Sequence, residues 1–250
     1  MTPTFERVAV IGASSGIGAE IARQLAASGA AVALLGRREP ELREVADTIH
    51  RAGRGRAVVI VHDVTRTDEV PETFERVVRE LGGLDAVFYA AGVLLAVDEG
   101  EYDFAKERQM IEVNLLGAMA WMTPAVARFE AARHGTVVGI SSIAGERGRR
   151  GFPAYATSKA GLTAYFESLR NRVSRYGVNV VTIKPGFVDT AMTRGNPRTP
   201  FKISAESAAR ISIAAARRGG SPSVFVPWRW TVIAFVLRHL PSFVFRRLNF

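Results

Sequence analysis

Short apolar runs alternate with helix-like stretches along almost the whole chain, and the first unit sets the pattern. Arg7 to Ile11 is an apolar run of strand length. It passes into Gly12-Ala13-Ser14-Ser15-Gly16-Ile17-Gly18, after which Ile21, Leu25 and Ala26 follow a helical pattern up to Gly29. Strand, glycine-rich turn and helix in that order form a phosphate-binding corner. In it, Gly12 permits the tight turn, Gly16 lets a pyrophosphate approach the backbone, and Gly18 lets the helix pack closely on the strand. Ser14, Ser15 and Ile17 complete the candidate cofactor contacts of this turn. The spacing, Gly-x-x-x-Gly-x-Gly, is a variant of the Gly-x-Gly-x-x-Gly fingerprint.

The unit then repeats. Ala30–Leu35 reads as a second strand, followed by a helix from Glu39-Pro40 to about Ala52, with proline tolerated in its first turn. Arg56–Val61 and Asp85–Ala90 are the third and fourth strands, separated by a helix from about Asp68 to Leu81. A long helical segment runs from about Tyr102 to Ala132. A fifth apolar run ends in Ser141-Ser142, the helix carrying Tyr155 follows, and Val178–Ile183 is a sixth strand. A helix from about Ala205 to Arg217 and a last strand, Val224–Val226, close the series. No internal repeat, linker or low-complexity segment interrupts it. Repeated βα units predict a doubly wound parallel sheet, an α/β fold of Rossmann type, in one domain over residues 1–227. Ligands bind such sheets at the carboxyl ends of the strands. Gly12, Arg37, Asp63, Gly92, Ser142 and Pro185 all fall at such ends, which argues for one site.

Composition narrows the classes. A chain of 250 residues, 48% hydrophobic and 23% charged, affords a sizeable core. The absence of cysteine excludes disulfides, thiolate metal sites and a cysteine nucleophile. It suits the cytosol, and the first residues lack the basic and apolar regions of a signal peptide. The net charge of +9 comes from scattered arginines with no nucleic-acid motif, so no nucleic-acid partner is expected. The charge is uneven, however. No Asp or Glu follows Glu206, whereas Arg210, Arg217, Arg218, Arg229, Arg238, Arg246 and Arg247 do, which suits an anionic partner.

The strand ends carry the chemistry. An NAD site places an acid near the end of the second strand, to hold the ribose hydroxyls. Here Gly36 is followed by Arg37 and Arg38, and the planar fork of Arg37 suits a 2'-phosphate. NADP(H) is therefore expected over NAD(H). Asp63, followed by Val64, either hydrogen-bonds an adenine or caps the loop. Ala91 and Gly92 are small enough for close approach by a cofactor. Asn114 stands among Ile111, Val113, Leu115 and Leu116 as a satisfied core amide or a water-holding site residue. Tyr155 and Lys159, four apart, share one helix face. A phenol has an ordinary pKa of about 10, and a cation about 5 Å away favours the phenolate by roughly 3 kcal/mol at an effective dielectric near 20. That brings a tyrosine into range as a general acid or base, with Ser142 placed to hydrogen-bond the same substrate oxygen. Pro185-Gly186, Val188 and Thr190 close the sixth strand end, and residues 189–202 read as a mobile lid.

Taken in order, Gly12-x-x-x-Gly16-x-Gly18, Asp63, Asn114, Ser142, Tyr155-x-x-x-Lys159 and Pro185-Gly186 with Thr190 resemble the short-chain dehydrogenase/reductase family, in its shorter single-domain branch. The resemblance implies hydride transfer between a nicotinamide cofactor and a carbonyl or alcohol carbon. It assigns Tyr155 as proton donor or acceptor and Ser142 as polariser of the substrate oxygen. Lys159 lowers the tyrosine pKa and binds the nicotinamide ribose, and Asn114 holds a water in a proton relay. It also implies a homodimer or homotetramer built through the long helices. One departure is Tyr89-Ala90-Ala91-Gly92, where the family has Asn-Asn-Ala-Gly, so a sheet-stabilising asparagine is missing at Ala90. The longer Tyr-to-Lys spacing of fatty-acid enoyl reductases is absent, which argues against double-bond reduction.

Residues 228–250 stand outside the shared motifs. They mix Trp228, Trp230, Phe235, Phe243, Phe245, Leu248 and other apolar residues with four arginines, broken at Pro241. Such a tail is a poor membrane span. As an amphipathic helical pair it either lies on an anionic membrane or packs on its own fold or a sister subunit, covering the cleft. The expected protein is an NADP(H)-dependent carbonyl reductase or alcohol dehydrogenase acting on a hydrophobic substrate, suggested by Phe187, Met192, Phe201 and Trp228. The competing class is a nucleotide-sensing or membrane-peripheral scaffold that keeps the cofactor fold without catalysis.

Overall fold

A computed structural model describes residues 4–98, 100–193, 199–220 and 223–247. Leu248 of the tail and residues 194–198 of the expected lid lie outside them. Strand β1 (Arg7–Ile11) leads through the glycine turn to α1 (Gly16–Ala27), then β2 (Ala31–Gly36), α2 (Glu39–Ala52) and β3 (Arg56–Val61). A crossover through α3 (Val70–Leu81) brings β4 (Ala86–Tyr89) back beside β1. Helix α4 (Phe104–Ile111) continues through a π-helical turn, Glu112–Leu116, into α5 (Gly117–Ala132) and β5 (Gly135–Ile140). Next come α6 (Pro153–Val173), β6 (Val178–Pro185), and the short β7 (Val188–Asp189) and β8 (Ile203–Ser204). Helix α7 (Ala205–Arg218), β9 (Ser223–Val226), α8 (Trp230–His239) and α9 (Ser242–Phe245) complete the chain.

Seven of the strands form one parallel sheet in the order β3-β2-β1-β4-β5-β6-β9. The order reverses at β1, so the carboxyl ends of β1 and β4 open a crevice between loops that leave in opposite directions. Alternation along each strand explains the two-sided core. Val8 and Val10 pack under α1, α2 and α7 with Leu25, Leu42 and Ile213. Ala9 and Ile11 pack on the other face with Phe74, Trp121, Phe129 and Phe166. Strands buried on both faces read as continuous apolar runs, which is why the sequence shows them so plainly. Each buried large side chain contributes about 2–3 kcal/mol against the entropy of ordering the chain.

Three expectations need correction. The helix expected from Tyr102 begins at Phe104, because the Asp103 carboxylate accepts from the amides of Ala105 and Lys106. Its middle is not α-helical but takes the π turn that contains Asn114. The tail is a helical pair, but α8 is not amphipathic in the expected sense. Its buried residues are Trp230, Ala234 and Leu237, while Val232, Phe235 and Val236 on other faces are equally apolar and exposed.

The expected lid is anchored where it is described. Strand β7 pairs with β8, and the Lys202 amine meets the Asp189 carboxylate at 2.8 Å. The missing asparagine at Ala90 leaves the sheet intact. The Ala90 amide donates to the Ile11 carbonyl at 2.8 Å, and its small side chain faces Gly18.

Candidate active site

At the crevice lies a cleft of about 570 Å³, reached from the carboxyl ends of β1, β2, β4, β5 and β6. Its floor is the glycine turn. Gly12 has φ +90°, and a Cβ there would lie 2.4 Å from the Ala91 nitrogen. A Cβ on Gly18 would lie 2.2 Å from the Gly12 carbonyl oxygen. Both glycines are therefore demanded by close packing of turn, helix and β4. Ser15 caps α1 with no side-chain hydrogen bond to the first turn, so the amides there are not answered by the cap. Ser14, Ser15, Gly16, Ile17 and Gly18 all line the cleft beside this helix terminus, which is the arrangement a pyrophosphate needs.

Arg37 and Arg38 both reach the cleft but with different partners. The Arg38 guanidinium donates to the hydroxyls of Ser14 and Ser15, each at 2.8 Å, and so spans the glycine turn. Arg37 lies 3.5 Å from the Asp63 carboxylate. Asp63 is not in the cleft wall. Its other oxygen accepts from the Thr65 amide at 3.0 Å and the Thr65 hydroxyl at 2.9 Å, the loop-capping geometry. Those hydrogen bonds and the Arg37 charge outweigh burial and hold its carboxyl below the usual range. Val64, Ala91, Gly92, Pro185, Gly186, Val188 and Thr190 line the cleft.

The reactive end is built by β5 and α6. The Ser141 hydroxyl donates to the Lys159 carbonyl and meets the Thr163 hydroxyl at 2.8 Å, tying strand end to helix. Ser142 caps the following 3-10 turn, Ile143–Glu146, by accepting from the Ala144 amide at 3.1 Å. Ser142, Tyr155 and Lys159 all face the cleft. The Lys159 amine donates to the Ile140 carbonyl at 3.0 Å and lies 5.8 Å from the centre of the Tyr155 ring.

The electrostatics differ from the simple two-charge picture. Burial is the largest influence on the Tyr155 phenol and pushes it above its ordinary value. Hydrogen bonding with Ser142 and the charge of Arg149 pull it back. Burial lowers the Lys159 amine to about 8. Burial thus disfavours the charged form of Lys159, and the charge of Arg149 is among the influences that pull the phenol down. Sequence reasoning missed Arg149 because it lies in a glycine- and arginine-rich loop with no periodicity to aim it. It also missed Glu146, whose buried carboxylate meets Lys184 at 2.8 Å and Arg238 of α8.

Asn114, fully buried in the π turn, lies behind the cleft wall and not in it. Its side-chain oxygen accepts from the Val93 amide at 2.7 Å. Its amide group donates to the Val93 carbonyl and the Ser158 hydroxyl, each at 3.0 Å. The side chain is therefore a satisfied amide that fixes the loop after β4 against α6. The Ser158 hydroxyl in turn donates to the Tyr155 carbonyl at 2.8 Å.

The family described as short chain dehydrogenase matches residues 6–200. An uncharacterized oxidoreductase of Myxococcus xanthus is 34% identical over 243 residues, 97% of this chain and 95% of that protein. An uncharacterized oxidoreductase of Mycobacterium tuberculosis is 31% identical over 246 residues, 98% and 97% of the two chains. In fold, a short-chain type dehydrogenase/reductase from Mycobacterium marinum matches with a TM-score of 0.81 at 24% identity, over 90% of this chain and 95% of that one. A 3-oxoacyl-[acyl-carrier protein] reductase from Brucella melitensis ATCC 23457 matches with a TM-score of 0.79 at 22% identity, over 88% and 89%.

Proposed function

The chain belongs to the short chain dehydrogenase family, and from that premise we propose that it interconverts a carbonyl and an alcohol with NADP(H), on a hydrophobic substrate. One observation carries the reading: the Ser142 and Tyr155 hydroxyls share a cleft with a helix N-terminus and glycine turn shaped for a dinucleotide. The residues present fit such a cofactor. Gly12 and Gly18 hold the turn open to a pyrophosphate, and Arg37 and Arg38 stand where an adenosine ribose would end. When bound, the nicotinamide supplies or accepts the hydride. The protein supplies the rest.

Ser142 and Tyr155 hydrogen-bond the substrate oxygen and orient its carbon toward the cofactor. In reduction the phenol of Tyr155 gives its proton to the oxygen as negative charge develops there. In oxidation the phenolate takes that proton. Arg149 and the Ser142 hydroxyl pull the phenol down against burial, which still holds it above its ordinary value, and Lys159, held by the Ile140 carbonyl, would meet a ribose hydroxyl. Asn114 acts by position, since its amide is spent on Val93 and Ser158. Arg38 over the serine hydroxyls, with Arg37 beside it, favours a 2'-phosphate where an acid would favour free hydroxyls.

The test follows cofactor absorbance while the purified protein meets aldehydes, ketones and secondary alcohols. Turnover of at least one, lost by a factor of about 10² or more in Tyr155→Phe, is expected. Absence of turnover with all of them would instead favour the non-catalytic sensor, and turnover as fast in Tyr155→Phe as in the native protein would remove Tyr155 from the mechanism. Replacing Arg37 and Arg38 with alanine should raise KM for NADP(H) and leave that for NAD(H) nearly unchanged. An unaltered ratio of the two refutes the cofactor preference.

A further inference from the structure

We propose that α8 and α9 seat this protein on an anionic lipid bilayer, with the mouth of its cleft turned toward the lipid. Helix α8 already has a tertiary partner. Trp230 lies against Gly186, where a Cβ would come within 1.9 Å of the indole nitrogen, and makes edge contacts with Phe187 and Phe201. The Arg147 guanidinium donates to the Leu237 and Leu240 carbonyls, and Arg238 meets the buried Glu146. With one face so anchored, the opposite face would be polar in a helix exposed only to water. It is not. Val232, Phe235 and Val236 are 59%, 65% and 53% exposed, and Trp228 and Phe243 beside them 70% and 60%.

Charge selects the occupant. Arg229, Arg246 and Arg247 are exposed, and no acidic residue follows Glu206 in the chain. Glu146, the carboxylate that the tail does touch, is buried and already met by Lys184 and Arg238. An isologous contact between two copies would set these arginines against each other with no carboxylate to meet them. An anionic lipid surface complements both the aromatic residues and the charge. Helix α8, ten residues and therefore about 15 Å long, lies on such a surface and does not cross a hydrocarbon core of about 30 Å. The run Phe104–Ala132 is long and apolar enough to cross, but it supplies Trp121, Met122 and Phe129 to the protein core.

The cleft carries exposed apolar residues of its own. Met192 and Phe152 line it and are 43% and 37% exposed, and Phe201, edge-on to Trp230, is 46% exposed. Resting on the oxidoreductase reading above, this places the entrance where a lipophilic carbonyl or alcohol can pass from bilayer to active site without crossing water.

The experiment is flotation of the full-length protein with vesicles of phosphatidylcholine alone and of phosphatidylcholine mixed with phosphatidylglycerol. The protein should float with the anionic vesicles, stay below with the neutral ones, and be released by high salt. Each basic residue near the surface is worth roughly fivefold in binding, so Arg246→Ala with Arg247→Ala should bind about 25-fold less. Phe235→Glu with Val236→Glu, both at exposed positions, should abolish flotation while reductase activity toward a water-soluble carbonyl persists. Native protein left in the dense fraction with anionic vesicles overturns the proposal, as does a Phe235→Glu, Val236→Glu protein that still floats. So does a dimer in light scattering that this double variant splits, because the face is then a self-interface. Native protein that turns over substrate but does not float rejects the lipid surface alone. Flotation without any turnover rejects the enzyme reading alone.

Discussion

Glu146 is the residue through which the reactive loop, the end of β6 and the tail hold one another. Its side chain is 1% exposed and lies 2.8 Å from the Lys184 amine, itself 3% exposed. The attraction at that distance is about 6 kcal/mol at an effective dielectric near 20, and desolvation of the two ions offsets part of it. Neither carboxylate oxygen has hydrogen-bond alignment with a donor, so Coulomb attraction is the larger part of what would be lost. Replacing Glu146 with glutamine keeps the shape and leaves a buried ammonium without a counter-charge. Broken buried pairs of this kind cost about 3–5 kcal/mol. Arg238 adds little, since its half-exposed guanidinium regains water. Thermal unfolding of Glu146→Gln should therefore fall by roughly 6–20 °C. A second change, Lys184→Met, should restore most of that loss by removing the stranded charge. A Glu146→Gln protein within about 1 kcal/mol of native, or a double variant less stable than the single, would refute the assignment of this cluster.

Two further outcomes concern the catalytic pair. Lys159→Met should be inactive yet more stable than native at pH 7. An amine lowered by burial to about 8 is a cost that is full below pH 8 and vanishes above about 10.5, worth roughly 3 kcal/mol, less about 1 for the lost Ile140 hydrogen bond. The gap seen by chemical denaturation should shrink as pH rises from 8 to 10.5, and a gap independent of pH would count against a buried charged lysine. Arg149→Gln should raise the Tyr155 pKa, because the arginine charge is one of the influences pulling the phenol down. Oxidation needs the phenolate, so the rising limb of its pH–rate profile should move to higher pH. Reduction needs the phenol, so its falling limb should move the same way, and a profile unmoved in both directions removes Arg149 from the mechanism.

The sheet was legible because its strands are buried on both faces. Val8 and Val10 serve one layer and Ala9 and Ile11 the other, so no polar residue interrupts the run. The π turn at Glu112–Leu116 was not legible. It inserts a residue into a helix whose apolar pattern continues on either side, and only the geometry around Asn114 and the Tyr89 hydroxyl on the Val113 carbonyl reveals it. Nor could periodicity show which faces of α8 are covered. Trp230, Ala234 and Leu237 are separated from Val232, Phe235 and Val236 by packing against Gly186 and the Ser142–Tyr155 loop, and hydrophobicity is the same on both sides.

The candidate site shows the same division between local and distant causes. Tyr155 and Lys159 are found from spacing because a helix turn alone brings them together. What sets their protonation comes from elsewhere in the chain. Burial by β5 and α6 acts on both groups in opposite senses, raising the phenol and lowering the amine, so it opposes the charged state of each. A two-charge estimate from spacing has the right partners and the wrong balance. The Ser142 hydroxyl and the Arg149 charge offset part of that burial, and Glu146, three residues before Arg149 in the same loop, is bound to β6 by Lys184 and to α8 by Arg238. The acidity of Tyr155 is thus coupled, through one loop, to a tail that lies beyond the family's matched residues. It follows that loosening α8, by lipid or by mutation, should register first in the pH dependence of catalysis and only later in affinity for the cofactor, whose glycine turn lies on the other side of the cleft.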